Sequence, residues 1–357
     1  MNVSFKSQGN AFFQALRSGV NAYFKTNGIR STGNFQLYLK TVIIFLALAA
    51  LYTWVVFFTP GVWLSVAICS FLGLCAALIG FNVMHDGSHG SYSRNKTVNR
   101  IMAYSLNLLG GNAFFWTQKH NQNHHTYTNV EGLDDDIDLK PFLRVHHDQP
   151  KKKIHRYQHI YFFVLYGVTY LFWVYYRDFL KYFTGKIAEN TKLSKMSLRE
   201  HIVFWVSKLV HIGVFLVIPM LFAGVRETII GYLIMAFVMG FTLAIVFQLA
   251  HLVEGAEFTA PEPGKDTNIE TEWAIYQVNT TVNFATRNRV LSWLLGGLNY
   301  QMEHHLFPKI SHVHYPAVHR IVKQVCTEYN VSYIEHPTMI SAIRSHIRHL
   351  RALGKAD

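Results

Sequence analysis

The sequence predicts an all-α integral membrane protein with four transmembrane helices in two hairpins, interfacial helices, and a cytoplasmic helical cap that holds a histidine-rich dimetal site. Three observations lead to this fold class. The chain contains four long apolar stretches. Only 15% of its 357 residues are charged and 50% are apolar, whereas roughly 25% are charged in an ordinary soluble domain. The third observation is the count of 20 histidines, because histidine is a common metal ligand.

Two pairs of apolar stretches form the predicted hairpins. A helix needs about 20 mostly apolar residues to cross the hydrocarbon core of a bilayer. Residues 41–59 and 61–83 contain no charged side chain and are separated by Pro60. Residues 202–222 and 228–250 are separated by a short link, and Lys208 is their only charged residue. Each pair is therefore predicted to cross the membrane and return.

The hairpins divide the single predicted domain into five segments. Residues 1–40 form an amphipathic cytoplasmic segment, and residues 41–83 form the first hairpin. Residues 84–200 form a cytoplasmic and interfacial region that carries two histidine clusters. Residues 201–250 form the second hairpin, and residues 251–357 form a cytoplasmic region with the last histidine cluster.

Basic residues determine the predicted orientation and location. The first forty residues contain Lys6, Arg17, Lys25, Arg30 and Lys40 but no acidic residue. Because lysine and arginine favour the cytoplasmic side, we expect both termini and the large loops in the cytoplasm, most simply at a bacterial inner membrane. The net charge of +12 then reflects topology and attraction to anionic lipid headgroups. No nucleic-acid-binding motif accompanies this charge, so a nucleic-acid partner is not expected.

The N-terminal segment has the pattern of an amphipathic helix. Phe12, Leu16, Val20 and Phe24 recur at helical spacing beside basic residues. Such a pattern is typical of a helix that lies on the membrane surface. A secretory signal peptide is not expected, because the first long apolar run begins only at residue 41 and is too long for one.

Eight histidines cluster at the ends of the predicted spans and in the segments that follow them. One cluster is His-Asp-Gly-Ser-His directly after the second span, the next is His-Asn-Gln-Asn-His-His, and the last closes Gln-Met-Glu-His-His. A single further histidine ends the fourth span. These candidate metal ligands are His85, His89, His120, His124, His125, His251, His304 and His305.

The spacing of these histidines favours two metal ions. Residues four apart share one face of a helix, so His85 with His89, and His120 with His124, can each present two imidazoles to one point. Adjacent residues diverge by about 100° on a helix, so the pairs 124–125 and 304–305 can each reach two different ions. Eight imidazoles are too many for one ion and suit two. The three cysteines exclude a cysteine-rich zinc site or iron–sulfur site.

A fifth apolar stretch, residues 157–176, contains ten aromatic residues and is ambiguous by hydropathy. Tyrosine and tryptophan concentrate at membrane–water interfaces. All eight histidines must lie at one membrane face, so an even number of crossings must separate His125 from His304. Since two spans already lie between them, the aromatic stretch is predicted to be interfacial.

The remaining histidines and an acidic run have less specific interpretations. His211, inside a span, is expected to be a packing or hydrogen-bonding residue. Asp134, Asp135, Asp136 and Asp138 form either a solvated loop or a set of carboxylates that orient the ligand imidazoles. Ten histidines are expected at the surface or in contact with headgroups: His146, His147, His155, His159, His312, His314, His319, His336, His346 and His349.

The three histidine clusters resemble, in order, spacing and position relative to the spans, the signature of the membrane fatty acid desaturases and their hydroxylase relatives. The segment Gln301-Met-Glu-His-His-Leu-Phe-Pro resembles the front-end branch, which includes Δ5- and Δ6-type enzymes and bacterial enzymes related to linoleoyl-CoA desaturases. The resemblance covers roughly residues 10–340. It implies four spans, a non-haem di-iron centre that uses O2, and a buried acyl tunnel leading to the irons.

The resemblance also assigns roles to individual residues. It implies that the eight histidines named above are the iron ligands. The segment Gln277-Val-Asn-Thr-Thr-Val-Asn283 resembles a stretch that places one more polar residue near an iron, with Asn283 as our first choice and Asn279 as the second. Gln301 stands where other branches have histidine, and is expected to contact iron directly or through water.

The expected partners follow from the same resemblance. Many front-end desaturases carry a fused cytochrome b5 domain with a His-Pro-Gly-Gly motif, whereas the only His-Pro here, His336-Pro337, continues with Thr-Met. Nor is there a dinucleotide fingerprint or a CxxC pair. We therefore expect electrons from a separate ferredoxin or cytochrome b5-like protein with its reductase. The substrate is expected to be a fatty acyl chain on coenzyme A or on a membrane lipid.

The predicted function is introduction of a cis double bond into an acyl chain, because only a redox centre that activates dioxygen can attack an unactivated methylene. Imidazole ligation is compatible with iron, although it does not exclude zinc or copper. The alternative nearest in chemistry is hydroxylation by the same centre. Two alternatives come from other classes: a bis-histidine haem protein and a zinc transporter. A zinc transporter would require polar residues in the middle of the membrane.

Overall fold

Four long apolar helices dominate the structure, a computed structural model that describes residues 3–6, 10–262 and 265–356. Among these residues, four helices are long and apolar enough to cross a membrane. We call them spans 1 to 4: Phe35–Phe57, Val62–His89, Leu198–Phe222 and Val225–His251. Their outward faces expose large apolar side chains such as Trp63 and Leu221, which are 86% and 76% exposed. The predicted fold class, four membrane-spanning helices in two hairpins, is confirmed.

The spans begin earlier than their apolar windows because polar residues cap them. The side chain of Asn34 accepts a hydrogen bond from the Leu37 amide at the start of span 1, and Ser197 does the same for Glu200 in span 3. Such caps satisfy amides that the first turn of a helix leaves free. Spans 1 and 3 therefore start before residues 41 and 202, and span 2 continues through the first histidine cluster to His89.

Two of the spans contain a short π-helical segment. In span 2 it is Gly80–Met84, directly before His85, and in span 3 it is Gly213–Val217. A longer π-helical segment, Thr117–His124, carries the second histidine cluster and follows the short helix Ala113–Trp116. Such segments are rare and frequently occur at functional sites.

The aromatic stretch forms a helix that is not among the four spans. This aromatic helix consists of the α-helical segments Gln158–Phe172 and Asp178–Thr184, joined by the π-helical Trp173–Arg177. It packs closely against span 4. A Cβ atom added to Gly240 of span 4 would lie only 2.6 Å from the carbonyl oxygen of Gly167 in the aromatic helix, so the close contact requires glycine at this position. Val164, Val168 and Phe172 of the aromatic helix are 44%, 42% and 47% exposed, so its outer face is free for lipid.

Both ends of the aromatic helix contact segments beside the histidines. At its start, Gln158 donates a hydrogen bond to the Leu350 carbonyl in the C-terminal helix. At its end, Lys181 forms an ion pair with Asp135 at 2.7 Å. Both ends therefore lie at the histidine end of the spans, in agreement with an interfacial helix that does not cross.

In the described part of the chain, the remaining helices and six short strands form a cap over the histidine end of the spans. The cap helices are Ala11–Asn27, Lys96–Ala103, Ser105–Leu108, Ala113–Trp116, Trp273–Asn279, Arg289–Leu294, Gln301–Leu306, Tyr315–Glu328 and Met339–Lys355, with 3-10 turns at Lys153–Tyr157 and His312–His314. The strands pair two by two: Val3–Phe5 with Thr267–Ile269 in parallel, Lys186–Ala188 with Thr191–Lys192 antiparallel, and Asn283–Phe284 with Glu335–His336 in parallel.

The N-terminal helix Ala11–Asn27 is amphipathic, as its sequence predicts, but its apolar face covers protein. Phe12, Leu16 and Val20 are at most 2% exposed and belong to one core cluster with Val318 and Val322 of the helix Tyr315–Glu328. The expectation that this face lies on the membrane is therefore wrong for these residues. The pattern of an amphipathic helix does not distinguish a lipid surface from an apolar protein surface.

Candidate metal centre

The first part of the centre is a group of four buried histidines, which we call the four-histidine group. It consists of His85, His89, His120 and His304, with ligand atoms within 4.8 Å of one another. Two of them come from the last turn of span 2, one from the π-helical segment of the cap, and one from the helix Gln301–Leu306. The continuous span 2 positions the first pair, because residues four apart share a face.

The second part is a group of three buried histidines, which we call the three-histidine group. It consists of His124, His251 and His305, again with ligand atoms within 4.8 Å of one another. The side-chain amide of Gln301 lies 3.0 Å from Nε2 of His251 and 3.3 Å from Nε2 of His305. Rotation of the Gln301 amide by 180° would place its oxygen, instead of its nitrogen, beside these two ring nitrogens. The structure therefore places Gln301 at this group.

His125 lies between the two groups. Its Nε2 atom is 3.3 Å from Nε2 of His120, and its ring centroid is 4.5 Å from those of both His304 and His305. The π-helical turn explains the first contact, because the His125 amide donates to the His120 carbonyl five residues earlier, and this hydrogen bond brings residues i and i+5 onto one side.

His120 and His124 belong to different groups, but the prediction that they can face one point is also met. Together with Asp136 they form a third set whose ligand atoms lie within 4.8 Å of one another, and Nδ1 of each ring is 3.8 Å from the Asp136 carboxylate. The expected split of the adjacent histidines 304 and 305 between two groups is what the structure has.

Four of the histidines are oriented by partners at the outer ring nitrogen, Nδ1. These contacts are His124 with the Asp134 carboxylate at 2.9 Å, His251 with the Thr280 carbonyl at 3.2 Å, His304 with the Tyr315 hydroxyl at 3.0 Å, and His305 with the Gln277 amide oxygen at 2.9 Å. Such outer contacts fix the tautomer and the ring orientation of metal-bound histidine. They leave Nε2 of each ring directed inward.

The inward nitrogens lack protein partners. Among the residues that the structure describes, Nε2 of His85, His89, His124 and His304 has no hydrogen-bond partner although it is buried. A buried polar atom without a partner is costly. A metal ion would satisfy these lone pairs, so the donor set fits a metal and the chain carries a histidine-rich metal site.

The protonation states favour the same chemistry. Burial, followed by the neighbouring imidazoles, holds the pKa values of His120, His125, His304 and His305 well below the usual histidine value. These rings are therefore neutral near pH 7, as metal binding requires. Burial also lowers the pKa of His124, but the carboxylates of Asp134 and Asp136 outweigh burial and raise it overall.

The acidic run is a buried part of the site. Asp134 is 1% exposed and Asp135 is 7% exposed, so the alternative of a solvated loop is wrong for both. One oxygen of Asp134 contacts His124 and accepts from the Asn129 amide, and the other accepts from the Asp136 amide. Asp134 therefore connects the acidic loop to the imidazole, which is the second of the two alternatives.

The structure does not bring the two candidate asparagines to the histidines. Asn283 accepts from the Met302 amide and donates to Glu303 and to the Tyr333 hydroxyl. It thereby holds the helix that carries His304 and His305. The side chain of Asn279 donates to Glu257 near the surface.

Of this segment, the side chain of Gln277 contacts the centre through His305, and the backbone carbonyl of Thr280 contacts it through His251. Gln277 heads the segment from which the two asparagines were chosen. Its position two residues before Asn279 and six residues before Asn283 was the only signal in the sequence, and this signal did not separate it from them.

The other histidines have structural contacts. His211 donates through Nδ1 to the Leu108 carbonyl, and its Nε2 lies 2.9 Å from the Tyr232 hydroxyl, as expected for a packing or hydrogen-bonding residue. The surface expectation is wrong for His146, His155, His312, His314 and His346, each at most 8% exposed. His346, for example, lies between the Leu252 carbonyl and the Tyr166 hydroxyl. Several of these histidines join segments that are far apart in the sequence, such as Lys40 with His312 and Tyr166 with His346, so their sequence neighbours do not reveal their burial.

A cavity of about 220 Å³ reaches the centre from within the helices. His85, His120 and Gln301 line it on one side. Its remaining walls are apolar toward the spans and the helix Ser105–Leu108, and charged toward the acidic loop and the last part of the aromatic helix. The apolar wall includes Phe81, Met84, Leu106, Leu109, Met239, Leu243 and Phe247, and the charged wall includes Lys119, Asp135, Asp136, Asp138, Arg177 and Lys181. The cavity can therefore accept a molecule with an apolar chain and a polar end.

Fold and site together define a membrane-embedded protein with a buried, histidine-rich metal site that opens into an apolar cavity. Residues 61–337 match the fatty acid desaturase family. The chain is 38% identical over 356 residues to an acyl-lipid (8-3)-desaturase of Physcomitrium patens, covering 98% of this chain and 73% of that protein. It is 36% identical over 352 residues to an sn-1 linoleoyl-lipid 6-desaturase of Synechocystis, covering 98% of both.

A third relative is an sn-1 linoleoyl-lipid 6-desaturase of Arthrospira platensis, which is 35% identical over 354 residues, covering 96% of this chain and 92% of the relative. The chain belongs to the fatty acid desaturase family. It is an oxidoreductase that introduces a double bond into a fatty acyl chain.

Proposed function

We propose that this chain is a front-end desaturase that acts on acyl groups of membrane lipids, with two iron ions and O2. The observation that carries the proposal is the division of seven buried imidazoles into two separate groups beside one apolar cavity. Relatives that match almost the whole chain are named for lipid-bound substrates. Their names support an acyl lipid over a coenzyme A thioester as the substrate here.

The eight histidines are the proposed iron ligands. The four-histidine group, together with His125, holds one ion, and the three-histidine group, together with Gln301, holds the other. The close approach of Nε2 of His120 and His125 at 3.3 Å supports this division, because two lone pairs in contact are stabilised by a shared cation. Neutral imidazole suits iron, and zinc, which has no redox chemistry, would not supply the required reaction.

When bound, the two ions supply the activation of O2 and the removal of hydrogen from two neighbouring carbons, which no amino-acid side chain can do. The residues of the chain orient and protect this chemistry. Leu109, Met239 and Leu243 hold the acyl chain against the centre and exclude water from it. The outer partners of the imidazoles, such as Asp134 and Gln277, keep the rings in place.

The charged wall of the cavity is the proposed position of the polar end of the substrate. Arg177 and Lys181 both pair with Asp135, and Asp136 lies 3.8 Å from Nδ1 of His120. The polar end would therefore lie only a few side chains from the ions. A short distance between headgroup and metal places the reacting carbons near the carboxyl end, which agrees with front-end desaturation.

We further propose that the cap and both termini face the cytoplasm of a bacterial cell, where an electron donor can reach the cap. The 357 residues contain no His-Pro-Gly-Gly segment and no CxxC pair. The proposed electron donor is a separate ferredoxin or cytochrome b5-like protein with its reductase. The net charge of +12 suits an acidic carrier.

Expression in a host fed with linoleate tests the proposed function. Gas chromatography with mass spectrometry of the membrane lipids should show a product lighter by two hydrogens, with the new double bond on the carboxyl side of the existing ones. A product heavier by one oxygen would establish hydroxylation instead. The purified protein should contain about two iron ions per chain, and a protein without iron or with an unchanged lipid profile would contradict the proposal.

Replacing Leu243 by tryptophan should block the cavity and leave the centre intact. Leu243 lines the cavity, and a larger side chain there would occupy the space of the acyl chain. We expect desaturation to fall by about tenfold or more, with unchanged iron content. Leu233→Trp is the matched control, because Leu233 lies on the same span but is 49% exposed on its outer surface. Equal activity of the two variants would show that this cavity does not hold the substrate.

A further inference from the structure

A second, larger groove lies apart from the catalytic cavity. It has a volume of about 1000 Å³ and lies between the start of span 1, the segment around Arg287, and the helix Tyr315–Glu328. None of the histidines of the two groups lines it, and it shares no lining residue with the catalytic cavity. It is therefore a separate feature of the surface.

The groove is strongly cationic. Its charged lining residues are Lys40, Arg287, Arg289, Lys323 and Glu335, so the side chains carry four positive charges and one negative charge. Glu335 already pairs with Lys323 at 2.8 Å. Within the described part of the chain, no carboxylate pairs with either arginine, and both arginines are exposed. The groove therefore has uncompensated positive charge available to a ligand.

Lys40 adds a buried charge at the floor of the groove. It is 4% exposed, and its Nζ atom contacts Oδ1 of Asn82, the Trp293 carbonyl and Nε2 of His312. The ring of His312 in turn contacts the Asp86 carboxylate through Nδ1 at 3.1 Å, so one carboxylate already lies behind this ammonium group. With Asp86 and Glu335 counted, four cationic side chains face two carboxylates, and the uncompensated charge of the groove lies on Arg287 and Arg289.

The edges of the groove are apolar and exposed. On span 1, Leu39 and Ile43 are 47% and 48% exposed. On the other edge, Val290 and Trp293 are 70% and 43% exposed. Exposed aliphatic side chains at the end of a span, with tryptophan beside them, are typical of the level of the lipid headgroups. The groove therefore opens toward the bilayer surface and not only toward the solvent.

We propose that this groove binds the headgroup of an anionic phospholipid from the surrounding leaflet. The phosphate is held by Arg287 and Arg289, which can each form paired hydrogen bonds with phosphate oxygens. Leu39, Ile43 and Trp293 contact the adjoining acyl chains. A soluble phosphate compound would not use these apolar edges, which is why the lipid is the better occupant. The proposal does not depend on the identity of the desaturase substrate.

Native mass spectrometry of the purified, iron-loaded protein tests this site. The probes are phosphatidylglycerol and phosphatidylcholine with identical acyl chains. We expect one phosphatidylglycerol to bind tightly, and the double variant Arg287→Gln/Arg289→Gln to weaken its binding by about tenfold or more, with phosphatidylcholine binding unchanged. The control Arg344→Gln/Arg351→Gln removes the same charge from two exposed arginines of the C-terminal helix and should leave the preference intact.

Three results would overturn the proposal. These are equal binding of the two lipids to the wild-type protein, an unchanged preference in the groove variant, and an equal loss in the control variant. Coenzyme A serves as a soluble phosphate probe, and displacement of phosphatidylglycerol by it would assign the groove to a soluble ligand. If the double variant does not retain iron, the single charge reversal Arg289→Glu replaces it. Desaturase activity is measured in parallel, so failure of the lipid site is distinguishable from failure of the proposed function.

Discussion

Replacing His304 by alanine is expected to abolish desaturation and to remove iron from the protein. His304 is completely buried, and its ring centroid lies 4.4 Å from that of His85 and 4.5 Å from that of His125. Its Nε2 atom has no described protein partner, while the Tyr315 hydroxyl holds Nδ1. Loss of this imidazole leaves an incomplete donor set, so we expect activity to fall by about a thousandfold or more.

Iron analysis and product analysis of the same preparation measure this effect. His147→Ala is the matched control, because His147 is exposed and lies outside both groups. The control should keep wild-type iron content and activity. A His304→Ala protein with full iron content and normal product would remove this histidine from the centre and contradict the division into two groups.

The second large loss of activity is expected from a substitution at Asp134, which does not line the catalytic cavity. Asp134→Asn replaces the carboxylate that contacts Nδ1 of His124 at 2.9 Å. An amide accepts less strongly than a carboxylate, and it cannot accept at both of its terminal atoms. Changes to such outer partners of metal-bound histidine cost about 10–100-fold in metal affinity or activity. We expect a loss in this range, with weaker iron binding as its cause.

Chelator competition at several iron concentrations measures this change. Excess iron should restore part of the activity of Asp134→Asn, whereas a merely misfolded protein would not recover. Asp148→Asn is the control, because the Asp148 side chain is 70% exposed and should tolerate the change. Wild-type iron affinity in Asp134→Asn would show that the acidic loop does not support the centre.

The spans and the gathering of the histidines were predictable because their physical signals are local or simple. Long uncharged apolar runs specify membrane spans by length alone. Histidines at span ends must meet at one membrane face, and this requirement also predicts that the aromatic helix does not cross the membrane. Even the place of Gln301 beside His251 and His305 follows from its position at the head of the last cluster.

The π-helical turns were not predictable. Spacing rules assume 3.6 residues per turn, and on that basis His120 and His124 share one face. In the segment Thr117–His124, the hydrogen bonds run over five residues, so His125 joins His120 and His124 turns to another group. Nothing in the residue types of this segment indicates the wider turn, which arises from its tertiary contacts.

The burial of polar residues was also beyond the sequence. Asp134 and His346 lie in segments that look solvated, yet both are at most 1% exposed. Their partners, His124 and Tyr166, are 10 and 180 residues away, and no local pattern connects residues over such variable distances. The sequence also did not show that Gln277, and not Asn283, contacts a histidine. The packing of the helix Gln301–Leu306 decides which of the two side-chain amides reaches the centre.

The central claim is that two iron ions lie between the eight imidazoles. The most direct measurement is an anomalous difference map from crystals of the purified protein, with data collected above and below the iron absorption edge. The account predicts two iron peaks inside the protein, one bound by His85, His89, His120 and His304, and the other by His124, His251 and His305. A single peak, a metal other than iron, or imidazoles without any peak between them would contradict it.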